Sequence, residues 1–210
     1  MNAAIPRRTG RIKRRTVPLV GMLFLGPLLV AALVYYGGAG WRPAGNVAQG
    51  MLFDPVEKLP DDSALRGFDG SSLGKEALDG LWILVYLSRG PCEIECRKSL
   101  YDTRQVRVLL GQKDQRVRRL LIAGAPLPDP AYLSEYHPDL VVATAASAGS
   151  DLIQAFARDR QGLGDEDILR LDRVYIVDPL GNLVMAYESG FDAKGLLKDL
   201  RRLLRLSSIG

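Results

Sequence analysis

Twenty consecutive residues without a charge, Val17–Tyr36 ("VPLVGMLFLGPLLVAALVYY"), constrain this chain most. A helix of that length rises about 30 Å, the thickness of a bilayer's hydrocarbon core. Pro18 and Pro27 are compatible with such a helix, because neighbouring groups satisfy the carbonyls they free. Six cations precede the stretch (Arg7, Arg8, Arg11, Lys13, Arg14, Arg15), with no acid among them. Tyr35, Tyr36 and Trp41 stand at the far end, where an aromatic belt belongs. The cation bias predicts a single pass through the inner (plasma) membrane, the amino terminus in the cytoplasm and the main domain periplasmic. A cleaved signal peptide is the alternative, and "YYGGAG" offers it small residues. Its apolar core would usually be only about 7–15 residues, so a retained anchor is expected.

Charge separates the two ends of the chain. The net charge of +4 and pI near 9.1 suggest a nucleic-acid binder. Without the six leading cations the chain holds 22 cations against 24 acids, so no nucleic-acid partner is expected. The organisation expected is a basic cytoplasmic tail (1–16), a transmembrane anchor (17–36), a tether bearing Gly, Ala and Pro (37–55) and an extracytoplasmic domain (56–210).

Turn signals at "DD", "DG" and "SLG" in the first part of that domain leave room for a short hairpin. "LWILVYL" (81–87) is a continuous apolar run, as in a strand buried on both faces. From Glu93 to Leu110 the apolar spacing turns helical. "VRRLLIAG" and "LVVATA" read as two further strands, separated by a Pro-rich loop with one helical turn. "SDLIQAFARDR" reads as a helix capped by Ser150 or Asp151. "RVYIVDP" and "NLVMAYE" read as a hairpin turning at "DPLGN". The last segment places Leu196, Leu197, Leu200, Leu203 and Leu204 on one stripe of a closing amphipathic helix. Strands alternating with helices and ending in a hairpin predict an α/β domain with a mixed central sheet flanked by helices. That order resembles the thioredoxin arrangement.

The two cysteines of the chain, Cys92 and Cys96, lie where the buried strand hands over to the helix, in "SRGPCEIECRKSL". A thiol at a helix amino terminus meets unsatisfied N–H groups and the positive end of the dipole, which favour the thiolate. Residues four apart on a helix share a face, so two sulfurs there can converge on a soft ion such as Cu(I). They can also close a disulfide, redox-active or purely structural. All three readings stay open at this level. Arg89 and Arg97 would favour a thiolate, whereas Glu93 and Glu95 would oppose it. His137, the lone histidine, reads as a solvated loop residue, as do Asp129, Glu135 and Asp139.

"GKEALDGLWILVYLSRGPCEIECRKSL" resembles the Sco/SenC family of cytochrome c oxidase assembly proteins, which carry a C-x-x-x-C motif on a thioredoxin-like domain behind one membrane anchor. "LLIAGAPLPDPAYLSEYHPDLVVATA" and "VYIVDPLGNLV" are similar to later segments of that family. The resemblance implies a role in oxidase assembly, with a cytochrome oxidase subunit or its assembly factors as partner. It assigns Cys92 and Cys96 as redox dithiol and as ligands of copper, the cofactor it implies. The family's third ligand, a histidine, falls near Arg170, and arginine stays protonated. A divergent member lacking that histidine is expected to act through its thiols, or to hold Cu(I) weakly with two sulfurs. Two other roles stay open: a general thiol–disulfide oxidoreductase of the periplasm, and a non-enzymatic interaction protein with a structural disulfide. The proline that thioredoxins place before the strand starting near Arg173 is missing from "LRLDRV".

Overall fold

The structure, a computed structural model, describes residues 16–36, 48–60, 65–67, 70–73, 79–207 and 209. The chain divides into two compact units, Met1–Asn46 and Val47–Gly210.

In the first unit the described element is the helix α1, Thr16–Tyr36, with Pro27 inside it and no acidic or basic residue in its end turns. Met22, Leu23, Phe24, Leu28 and Leu33 are exposed on it. Among the described residues no helix qualifies as long and apolar enough to cross a membrane. The basic tail and most of the tether read from the sequence lie outside the described residues.

The second unit is built on a six-stranded mixed sheet in the order β1-β6-β5-β2-β3-β4. The strands are β1 (Met51–Lys58), β2 (Trp82–Ser88), β3 (Val117–Ala123), β4 (Leu140–Thr144), β5 (Val174–Val177) and β6 (Asn182–Tyr187). β2 pairs parallel with β3, and β3 with β4. On the other side of β2 the pairings with β5, β6 and β1 are antiparallel. The helices are α2 (Ile94–Leu109), α3 (Pro130–Tyr136), α4 (Ala145–Ala155), α5 (Asp165–Leu169) and α6 (Ala193–Leu206), with a 3-10 turn at Gly111–Arg116.

All seven residues of β2 are buried, which explains its unbroken apolar sequence. Alternation along the strand sends Trp82, Leu84 and Tyr86 to a core shared with α2 and α6. Ile83, Val85 and Leu87 face a second core formed with α4 and α5. Fully burying each such aliphatic side chain contributes roughly 1.5–3 kcal/mol, so this central strand is the firmest platform in the unit.

The expected strands from β2 onward, and helices α2 and α6, form where the apolar pattern puts them. The β5–β6 turn is closed by Asp178, whose Oδ1 accepts from the backbone N–H of Leu180 (2.9 Å) and Asn182 (2.8 Å). Among the described residues, the segment read as a hairpin before the main fold shows an antiparallel bridge, Arg66–Ser72. α4 begins earlier than expected, at Ala145, and is interrupted at Gly149 (φ 75°, ψ 156°). Ser150 therefore stands at the start of the second helical stretch, and its hydroxyl bonds Asp165 (3.0 Å) rather than capping.

Candidate functional site

Cys92 and Cys96 are joined in a disulfide, with Cα atoms 5.0 Å apart. Cys92 sits in the loop after β2, and Cys96 lies in the first turn of α2, whose N-cap is Glu93. α2 buries Cys96, Ser99, Leu100, Thr103 and Val106, a helical stripe that presses the disulfide against the sheet. Cys92 is 8% exposed and Cys96 4%, so the bridge faces the core more than solvent. Glu93, Ile94 and Glu95 stand exposed over it.

Two loops packed back to back fix the cysteine loop. The Gly124 N–H donates to the Ser88 carbonyl at 2.8 Å. A Cβ on Gly124 would lie 2.1 Å from the Arg89 carbonyl oxygen, so only glycine allows this approach. Gly90 in turn lies against the carbonyls of Ala125 and Pro126. The peptide before Pro126 is cis.

Arg97 does not aim its charge at the sulfurs. Its Nε donates to the Cys92 carbonyl at 3.1 Å, and its guanidinium lies 4.5 Å from the centre of the Tyr132 ring. Tyr132 stacks on Tyr136, and its hydroxyl meets His137 Nε2 at 3.3 Å. A chain of contacts thus runs from the cysteine loop to α3.

His137 is where the solvated-loop reading is overturned. It is 3% exposed, at the end of α3, and its Nδ1 is buried without a hydrogen-bond partner among the described residues. Burial, aided by the Arg119 and Arg104 cations, pushes its imidazole down to about 4, so it is neutral at pH 7. Asp139 is also more than solvated surface. It pairs with Arg107 (3.0 Å) and with the 1% exposed Arg119 (3.1 Å). These cations hold its carboxyl below the ordinary range despite its partial burial. Asp129 caps α3, accepting from the Ala131 N–H at 3.0 Å. Arg170, at the position of the family's histidine, is half exposed and faces Glu166 at 3.6 Å.

One polar pair near the disulfide gave no signal in the sequence. Tyr86 belongs to the same buried cluster as both cysteines, and its hydroxyl donates to Asp172 Oδ1 at 3.0 Å. Asp172 is the described non-glycine residue with positive φ (49°), just before β5. Burial raises its carboxyl above the ordinary range, and Glu95, between the two cysteines, adds to the rise. Burial and the Asp172 charge likewise raise the Tyr86 phenol. The cysteine turn and the entry to β5 therefore share one electrostatic environment.

A copper ion fits poorly here. Once reduced, the pair offers two sulfurs, but Arg170 is a cation and His137 is committed to Tyr132 inside α3. Among the described residues no group of three or more His, Cys, Asp or Glu converges as a metal site.

The fold has known counterparts. Solved structures similar to the chain include apo Sco1 from Thermus thermophilus (TM-score 0.55, 18% identity, covering 76% of this chain and 99% of that one). BsSco, described as a member of the Sco family of cytochrome c oxidase assembly proteins with a disulfide switch, gives a TM-score of 0.53 at 16% identity over 75% of this chain and 99% of its own. Yeast Sco1 with copper bound gives 0.51 at 18% identity over 78% of this chain and 96% of its own. At such identities the likeness establishes a shared thioredoxin-like fold. No curated protein matches the chain in sequence. The family model described as "Transmembrane-like, thioredoxin-like, C-terminal domain" matches residues 82–207, from β2 to the end of α6, and the chain belongs to that family.

Proposed function

We propose that this chain is a membrane-anchored, Sco-like thioredoxin-fold protein of the extracytoplasmic face. It assists cytochrome c oxidase assembly by exchanging Cys92–Cys96 with the cysteines of an oxidase subunit or assembly factor. The observation that carries this reading is the Cys92–Cys96 disulfide, set at the junction of a fully buried central strand and a helix start. The charge-free run of α1 behind six cations supports the anchor and its orientation. The Sco proteins among the structural neighbours support the choice of partner.

In the exchange, the reduced pair acts on a partner disulfide. Cys92 is the more exposed of the two residues and precedes the helix, so its thiolate attacks. A mixed disulfide forms, and one partner sulfur leaves and takes a proton. Cys96 then gives up its proton and attacks Cys92, which releases the second partner thiol. Two electrons pass to the partner, and an extracytoplasmic dithiol reductant restores the pair. Ile94, 80% exposed between the cysteines, offers the partner an apolar contact.

Thiolates favour Cu(I), but no third ligand stands beside the two sulfurs among the described residues, so the reading rests on thiol exchange and not on copper handling. The low exposure of both cysteines favours a second reading, a structural disulfide in an interaction protein. Exchange separates the two. The purified full chain, reduced, is incubated with an oxidised oxidase copper-site peptide. Trapping of a Cys92-linked mixed disulfide in Cys96→Ser supports exchange. The absence of that adduct, with normal oxidase activity in cells carrying Cys92→Ser/Cys96→Ser, rejects it.

A further inference from the structure

The closing helix α6 carries a second surface that the thiol chemistry does not use. Lys194, Lys198, Arg201, Arg202 and Arg205 are all exposed on it. At 3.6 residues per turn these five fall within about 100° of arc. None of them is in an ion pair among the described residues, and only Arg201 makes a hydrogen bond, to the Leu109 carbonyl at 2.7 Å. The acid of this helix, Asp199, is buried and does not offset them. Beyond the amino-terminal tail the chain is close to neutral, so the stripe is a local concentration of charge.

Asp199 adds the observation that gives the stripe a place. Its Oδ2 accepts from the backbone N–H of Gln49 (2.6 Å) and Gly50 (3.1 Å) and from the Tyr187 hydroxyl (2.7 Å). Gly195, one turn earlier, lets Gln49 lie close: a Cβ there would stand 3.0 Å from the Gln49 Cβ. The chain arriving from α1 is thus pinned to α6, on the border of the cationic arc. Thirteen residue steps separate Tyr36 from Gln49, a reach of at most roughly 47 Å when extended. If α1 lies in a bilayer, the pinned helix stays within that distance of it. Weak attraction to headgroups then acts at high effective concentration.

We propose that the cationic face of α6 docks on the anionic phospholipid surface of the bilayer that holds α1. The five side chains contact headgroup phosphates. This rests on the reading of α1 as a membrane anchor. Each basic residue at an anionic surface favours the docked state by about fivefold, an attraction that salt screens.

The test uses the full chain in nanodiscs of phosphatidylcholine alone or with phosphatidylglycerol, with lysine acetylation rates read by mass spectrometry. Lys98, exposed on α2, is the internal reference. Lys194 and Lys198 are expected to acetylate at least about fivefold more slowly in the anionic discs at low salt, and equally in both discs at high salt. Arg202→Gln/Arg205→Gln should remove most of that protection. Equal rates in both discs at low salt, with the chain incorporated, overturn the docking and leave the anchor standing. Failure to incorporate into either disc overturns the anchor and the docking together. Should the double variant not fold, the lipid comparison on the unsubstituted chain still decides.

Discussion

Arg119 shows how much one residue can hold in this domain. Its guanidinium, 1% exposed, donates to the Leu100 carbonyl (2.7 Å), Thr103 Oγ1 (3.2 Å) and Asp139 (3.1 Å), tying the cysteine-bearing α2 to β3. Asp139→Ala leaves that cation buried without its counter-charge and is expected to cost about 3 kcal/mol, read by denaturant unfolding. His137 gives a pH prediction. Folded, its imidazole titrates near 4; unfolded, near about 6.5. Between those values the unfolded chain binds the extra proton. Stability is therefore full above the unfolded pKa and is lost as pH falls from about 6.5 to 4, by about 3 kcal/mol in total. Asp139 and Glu188, held below the ordinary carboxylate range by Arg119 and Arg173, add a loss in the same direction at lower pH. His137→Gln should flatten the melting temperature between pH 6.5 and 4, and an unchanged slope would refute this. At this scale the sequence was least informative. His137 and Asp139 read as solvated loop residues, yet His137 is buried and Asp139 pairs with the buried Arg119; Arg119 and Arg173 are buried because partners distant in sequence satisfy them.

At the scale of elements, most of the sheet was legible. β2 and β3 are apolar runs, β5 and β6 flank a turn whose Pro179 and Gly181 identify it, and α6 carries a strict leucine stripe. β1 was not, and it begins inside the stretch read as tether. It is an edge strand, largely exposed and containing Pro55, so it has neither alternation nor an apolar run. α5 was missed because five residues, three of them acidic, carry no period. What fixes β1 is not its own pattern but its pairing with β6, together with Asp199 on α6, which accepts from Gln49 and Gly50 just before it. Asp199→Ala strands those N–H groups and the Tyr187 hydroxyl. We expect a loss of about 2–3 kcal/mol and faster proteolysis around Gln49 in limited digestion. Unchanged protease sensitivity would contradict that role. The same scale decides the cysteine loop. Gly124→Ala forces its Cβ into the Arg89 carbonyl and is expected to cost about 1–3 kcal/mol, with altered rates of disulfide reduction by a small thiol.

At the scale of the whole molecule, the cysteine pair, its strand–helix setting and the succession of strands along the chain from β2 onward could be read from the sequence. The bond between the sulfurs, their burial and the Tyr86–Asp172 pair could not, because they depend on packing between distant segments. The central claim is that Cys92 and Cys96 exchange electrons with a partner rather than simply brace the loop. The reduction potential of the full chain tests this most directly, by alkylation and mass spectrometry after equilibration in graded thiol–disulfide buffers. Exchange predicts a potential between about −180 and −300 mV, within reach of biological dithiols. A value below about −300 mV, the range of structural disulfides, would contradict it.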